Sequence, residues 1–172
     1  RDNFNNIIQK DKLYSLKYLL ALFNSTVINY WYKSHFDNVN INPEQVRLIP
    51  IKKSNVLIQR PFISLVDYIV FLKSERLKDL EELIIPTYFE QIIDGMVYEL
   101  YFPDLLKKHK REIITHLGEL PEYTDGMSDE QKMKICNNVF NRLNDKDHPV
   151  RINIDKMKEE ISEIRIIEGL EN

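Results

Sequence analysis

No glycine occurs in the first 94 residues, and the whole chain of 172 contains only four. A large β domain needs many turn positions at positive φ, which glycine fills at least cost, so this scarcity steers the chain toward helices. The longest helical pattern is Ser15 to Phe36. Leu16, Leu19, Leu20, Phe23, Val27, Tyr30 and Trp31 recur there at steps of three and four. Tyr18, Leu22, Ile28 and Tyr32 widen that apolar face, which predicts a helix packed on more than one side. Ser15 is placed to cap it, and no Gly or Pro interrupts it, so a single core helix about 30 Å long is expected. Lys17, Asn24, Asn29 and Lys33 fall inside the window and argue against a membrane span.

The rest of the chain repeats the theme. Asn38 to Asn42 alternates polar and apolar residues as a short extended piece, and Asn42-Pro43-Glu44 can cap one helical turn. From Gln59, Ile63, Val70, Leu77 and Ile84 are spaced by seven, with Val66 and Leu80 at the second seam position. This pattern suits an ordinary amphipathic helix on a globular core, the favoured reading, or a coiled-coil-like dimer seam. Pro86 is expected to end or kink it. Further helices are expected over Tyr88–Phe102, from Pro103 to Leu117, from Asp129 to Leu143 behind a Ser128 cap, and from Asp155 to Ile167. Gly95 inside a helix points to a close contact, Asp125-Gly126 to a turn, and Gly118 to a C-cap. The fold class is mainly α, a bundle-like arrangement with at most a vestigial strand pair near residues 38–51.

Catalytic chemistry is hard to place. Without early glycines there is no phosphate loop and no dinucleotide fingerprint, and no nucleophile elbow or zinc-type spacing occurs. Asn42-Pro43-Glu44-Gln45 lacks the second Pro and the aromatic residue of an amino-methyltransferase motif. His109, Glu112, His116 and Glu119 would share one helical face, yet their order and the flanking Lys107, Lys108, Lys110 and Arg111 read as a solvated surface. His35 and His148 suit surface or cap positions, and Cys136 a buried packing thiol. A single cysteine excludes an intramolecular disulfide framework and fits a reducing cytoplasm. The chain is expected to carry no catalytic residue, metal site or cofactor of its own.

Charge is more informative. Residues 1–60 hold nine Lys/Arg against four Asp/Glu, a net of +5, while the remainder is net −8. Lys33, His35, Asn38, Asn40, Arg47, Lys52 and Lys53 cluster after the core helix. Lys and Arg neutralise phosphates and Asn can bond phosphates or base edges, so these seven are the candidate nucleic-acid-binding residues.

Leu19-Leu20-Ala21-Leu22-Phe23-Asn24-Ser25, then Leu48-Ile49-Pro50-Ile51, resemble the end of a target-recognition region. The similar proteins are type IIG-like restriction–modification enzymes, adenine-N6 DNA methyltransferases with a TaqI-like C-terminal specificity domain. Phe23 is an extra residue relative to the family's pattern. Gln59-Arg60-Pro61-Phe62-Ile63, Asp67-Tyr68-Ile69 and Ile93-Asp94-Gly95-Met96-Val97-Tyr98-Glu99-Leu100-Tyr101 resemble the family's following helix and its Asp-x-x-Val-Tyr-Glu-Leu-Tyr stretch. The resemblance implies residues 1–58 as the tail of a recognition module and 59–172 as its helical support. It also implies a parent whose upstream methyltransferase domain binds S-adenosylmethionine and, in restriction-competent members, a nuclease using magnesium. A start at Arg1 rather than Met fits a piece of a longer protein. The implied partners are double-stranded DNA, that upstream domain and, through the heptad seam, a second copy of the chain; no membrane is expected.

Overall fold

The computed structural model describes residues 13–36, 42–74 and 83–171. Among these every regular element is helical: α1 (Leu16–Asn24), α2 (Thr26–His35), α3 (Pro43–Arg47), α4 (Val56–Ser74), α5 (Ile84–Tyr101), α6 (Pro103–His109), a 3-10 turn at Ile114–His116, α7 (Asp129–Leu143), α8 (Pro149–Glu160) and α9 (Ser162–Ile167). The mainly-α bundle expected from glycine scarcity is what forms. The described part of 38–51 contains α3 and no strand; the alternating piece at 38–41 lies outside the described residues.

α4 and α5 form the central antiparallel pair. Tyr68 meets Phe89 with ring centroids 5.6 Å apart, and Lys73 pairs with Glu90 nearer the α4–α5 connection. α1 lies along α4, where Tyr18 sets its ring edge-on to Phe62 at 5.3 Å. Tyr18, Phe62, Leu65, Phe89, Ile92 and Met96 are fully buried in one core that extends to Met157 and Ile164. Burying a side chain of this size is worth roughly 1.5–3 kcal/mol, so these contacts dominate the fold.

Three buried tyrosines fasten the later elements to this pair. Tyr68 donates to Pro121 O at 2.5 Å, Tyr88 to Leu143 O at 2.7 Å and Tyr98 to Glu168 Oε1 at 2.8 Å. Burial is the first cause that holds each hydroxyl above the ordinary phenol range, so all three stay protonated donors. Gly95 makes the close contact its position predicted: a Cβ there would stand 3.1 Å from Ile113 Cγ1 and 3.6 Å from Ile154 Cγ1.

Several helix boundaries differ from the sequence pattern, some for local reasons and some because a distant side chain intervenes. The Ser15–Phe36 stretch is two helices. Ser25 leaves helical geometry at ψ 151°, its hydroxyl donating to Leu22 O at 2.7 Å and accepting from Ile28 N–H. Asp94 on α5 then caps α2 from outside, accepting from Thr26 N–H at 2.7 Å and Thr26 Oγ1–H at 2.8 Å. A long-range carboxylate thus turns an uninterrupted apolar pattern into a helical hairpin. α4 begins before Gln59, with Pro61 inside it, and Pro86 lies in the first turns of α5 instead of ending a helix.

The helix expected from Pro103 to Leu117 stops at His109. Lys110 turns left-handed at φ 56°, and Glu99 takes the freed backbone, accepting from Ile113 N–H at 2.6 Å and Ile114 N–H at 2.8 Å. His109, Glu112, His116 and Glu119 therefore share no helical face. The last expected helix starts early at Pro149, its first residue after the His148 cap, and breaks at Ile161.

Candidate nucleic-acid interface

The segment carrying the later candidate residues is held to the bundle by three tyrosines. Asn42 and Gln45 form a capping box that starts α3, and Gln45 Oε1 also accepts from Tyr32 OH at 2.7 Å. That bond docks α3 against the end of α2. Further on, Tyr101 OH donates to Pro50 O at 2.6 Å and accepts from Lys52 N–H at 3.2 Å. Tyr18 OH donates to Lys52 O at 2.9 Å. The backbone of Lys52 is thus fixed on both sides while its side chain remains exposed.

Lys33, His35, Arg47, Lys52 and Lys53 are all exposed, on a segment pinned at Tyr32, Tyr18 and Tyr101. Asn38 and Asn40 lie outside the described residues. Arg47 is the one described candidate with an ion pair, to Glu44 at 2.7 Å. Both partners are more than 70% exposed, so this i,i+3 pair is worth only a few tenths of a kcal/mol and leaves Arg47 free to exchange partners. His35 stacks on Trp31 with centroids 4.3 Å apart, and its Nδ1 meets Trp31 O at 2.7 Å. A carbonyl can only accept, so Nδ1 carries the proton and Nε2 is the acceptor in the neutral ring. A phosphate would gain a hydrogen bond from it only when both nitrogens are protonated.

The anchors were the part missed from sequence. Asn42-x-x-Gln45 is a capping-box spacing that could have been read directly. The clasps at Tyr32, Tyr18 and Tyr101 span 13 to 51 positions and leave no local signal.

Elsewhere the described surface offers little chemistry. A cleft of about 350 Å³ between α1, α4 and α5 is lined by Leu20, Ala21, Val66, Val70 and Ile93, with Asp94 in its wall. Both oxygens of Asp94 are already spent on Thr26. Among the described residues no group of His, Cys, Asp and Glu is arranged to hold a metal ion. Cys136 is fully buried with its thiol 2.9 Å from Tyr123 OH, and burial pushes that thiol up. No helix of the described residues is long and apolar enough to cross a membrane.

Over 157 residues, 84% of this chain, the sequence is 26% identical to a Methanocaldococcus jannaschii protein named "Putative type II restriction enzyme and methyltransferase RM.MjaORFECS2P". The chain is thus similar to part of a restriction–modification protein. It spans 12% of that protein's length. No protein-family model matches the chain, and no solved structure does.

Proposed function

We propose that this chain is the helical DNA-specificity region of a restriction–modification adenine methyltransferase, holding duplex DNA for a catalytic domain outside these residues. The single observation that carries the reading is the clasp of Tyr18 and Tyr101 on Lys52, which presents Lys52 and Lys53 to solvent from a fixed backbone. An ordered backbone lowers the entropy lost when a lysine meets a phosphate. Lys33, His35 and Arg47 extend the surface, and Asn38 and Asn40 belong to the same segment. Similarity along most of the chain to a protein named as a restriction enzyme and methyltransferase supports the parent type. Such a parent would bind S-adenosylmethionine, and magnesium where it cleaves, in domains other than this one, and would act in the cytoplasm. The chain itself would then contribute no catalytic residue.

The test is duplex binding by the Lys52→Glu/Lys53→Glu double variant across a salt series. Each lost phosphate contact should flatten the log–log salt dependence by about 0.9. The expected result is a flattening of about two and an affinity at least tenfold lower at low salt. Unchanged affinity and slope would refute this placement of DNA.

An assembly module is the competing reading, and the exposed heptad residues are what would serve it. Val70 and Ile84 of the heptad are 53% and 56% exposed, although Leu77 lies outside the described residues and Ile84 belongs to α5 and not to α4.

A further inference from the structure

We propose that Lys107, Lys108 and Lys110, at the end of α6, form a second surface that grips the phosphates of duplex DNA. This rests on the reading of the chain as a DNA-holding region and extends its footprint beyond the segment that ends at Lys53.

The run Lys107-Lys108-His109-Lys110-Arg111 places five basic residues side by side in a chain whose net charge is −3. Cations at a helix C-terminus ordinarily serve the helix, by meeting its last carbonyls and its dipole. Here the last carbonyls are already met by backbone. Lys110 N–H bonds to Leu106 O and Lys107 O, and Arg111 N–H reaches Leu106 O at 2.9 Å. The Arg111 guanidinium is neutralised by Glu160 at 2.7 Å and also donates to Lys110 O. Lys107, Lys108 and Lys110 are exposed and have no ion pair among the described residues. Glu163 feels Lys108 weakly: it is held below its usual range first by its own hydrogen bonds and only then by His109 and Lys108.

Position 110 sharpens the point. Its φ of 56° is the left-handed conformation that glycine or asparagine adopts at a helix end with little strain. A lysine there is worse for the backbone and adds a like charge beside two others. A polyanion turns the crowding of like charge into contacts.

The position fits the same partner. Tyr101, which clasps Lys52, is the last residue of α5, and α6 opens two residues later at Pro103. At seven residues α6 is about 10 Å long, so with the Tyr101 side chain and the step to Pro103 its basic end lies within roughly 25 Å of the Lys52 clasp. One turn of B-DNA is about 34 Å, so both groups can reach phosphates within a single turn.

The experiment compares the full 172-residue chain with Lys107→Glu/Lys108→Glu/Lys110→Glu and with Lys52→Glu/Lys53→Glu. Binding to a fluorescent 20-base-pair duplex is read by anisotropy across a salt series, with circular dichroism confirming the fold. The expected result for the triple variant is a salt slope flatter by about two to three and affinity at least tenfold lower, with binding kept by the corresponding triple Lys→Arg variant. An unchanged slope in the triple variant, with loss in the Lys52/Lys53 variant, would overturn this inference and leave the proposed function standing. The reverse pattern would support this surface and move the DNA away from Lys52. No salt-sensitive binding by the parent chain would overturn both. Should the triple variant misfold, acetylation footprinting of the unaltered chain decides. Protection of Lys107, Lys108 and Lys110 by duplex supports the surface, and full reactivity under saturating duplex refutes it.

Discussion

Asp94, halfway along α5, accepts both the backbone N–H and the hydroxyl of Thr26, at 2.7 and 2.8 Å, and so starts a helix 68 positions away in sequence. The carboxylate satisfies an orphan amide at the helix N-terminus and sits at the positive end of its dipole. Replacing Asp94 by Ala should cost about 2 kcal/mol, and Thr26→Ala about 1. Because the two residues act as a unit, the double variant should fall short of the sum by about 1 kcal/mol in urea unfolding.

The same carboxyl carries a pH signature. Burial is the largest influence and raises its pKa, with the Thr26 hydrogen bonds pulling the other way. A carboxyl whose pKa is higher folded than unfolded binds more protons in the folded state, so it favours folding at acid pH and disfavours it as pH rises through the folded value. Asn at position 94 can still accept from the Thr26 amide and donate to its hydroxyl, but does not titrate. Asp94→Asn should therefore gain stability relative to the parent between pH 4 and pH 7, read from the difference in Tm.

His148 behaves oppositely. Its Nδ1 accepts the Val150 N–H at 3.2 Å and caps α8, which requires that nitrogen to be unprotonated. Burial first, then Arg142 and His116, hold its pKa below the ordinary histidine value. A depressed histidine contributes stability above its unfolded pKa of about 6.5 that is lost as pH falls toward the folded value. His148→Asn supplies a cap that stays unprotonated in that range, so it should flatten the fall in unfolding midpoint below pH 6.5.

Gly118 is required twice over. Its φ is +62°, and a Cβ there would stand 2.6 Å from Arg142 Nη1. That guanidinium donates to Leu117 O and Glu119 O, both at 2.6 Å, and so clamps the chain on either side of the glycine. Gly118→Ala should cost about 2 kcal/mol by thermal unfolding, and Arg142→Leu/Gly118→Ala should cost less than the two single changes together.

Glycine scarcity and apolar periodicity were enough to read the class of the fold, because both report on backbone freedom and on one buried face. They also located α7, whose Ser128 cap and Gln131 lie within one turn of each other. Boundaries set by distant groups were illegible. Nothing within residues 15–36 announces Asp94, and nothing within 103–117 announces Glu99. The candidate cations could be listed from composition, but the tyrosine clasps that order them could not, since each joins residues that only the finished core brings together.

The heptad residue Val70 gives a test that separates the two readings of α4. Val70 is 53% exposed, whereas Phe62, Leu65 and Phe89 of the same helix pair are fully buried. Phe62→Ala should cost about 3–5 kcal/mol, because it opens a cavity beside Tyr18. Val70→Glu should cost less, about 1 kcal/mol, because Val70 is half exposed but lines the cleft that Glu90 and Asp94 share. If α4 serves only the bundle and the DNA-holding surface, sedimentation at micromolar concentration gives a monomer for both the parent chain and Val70→Glu. A dimer in the parent chain that Val70→Glu converts to monomer would instead make the outward heptad face an interface between copies.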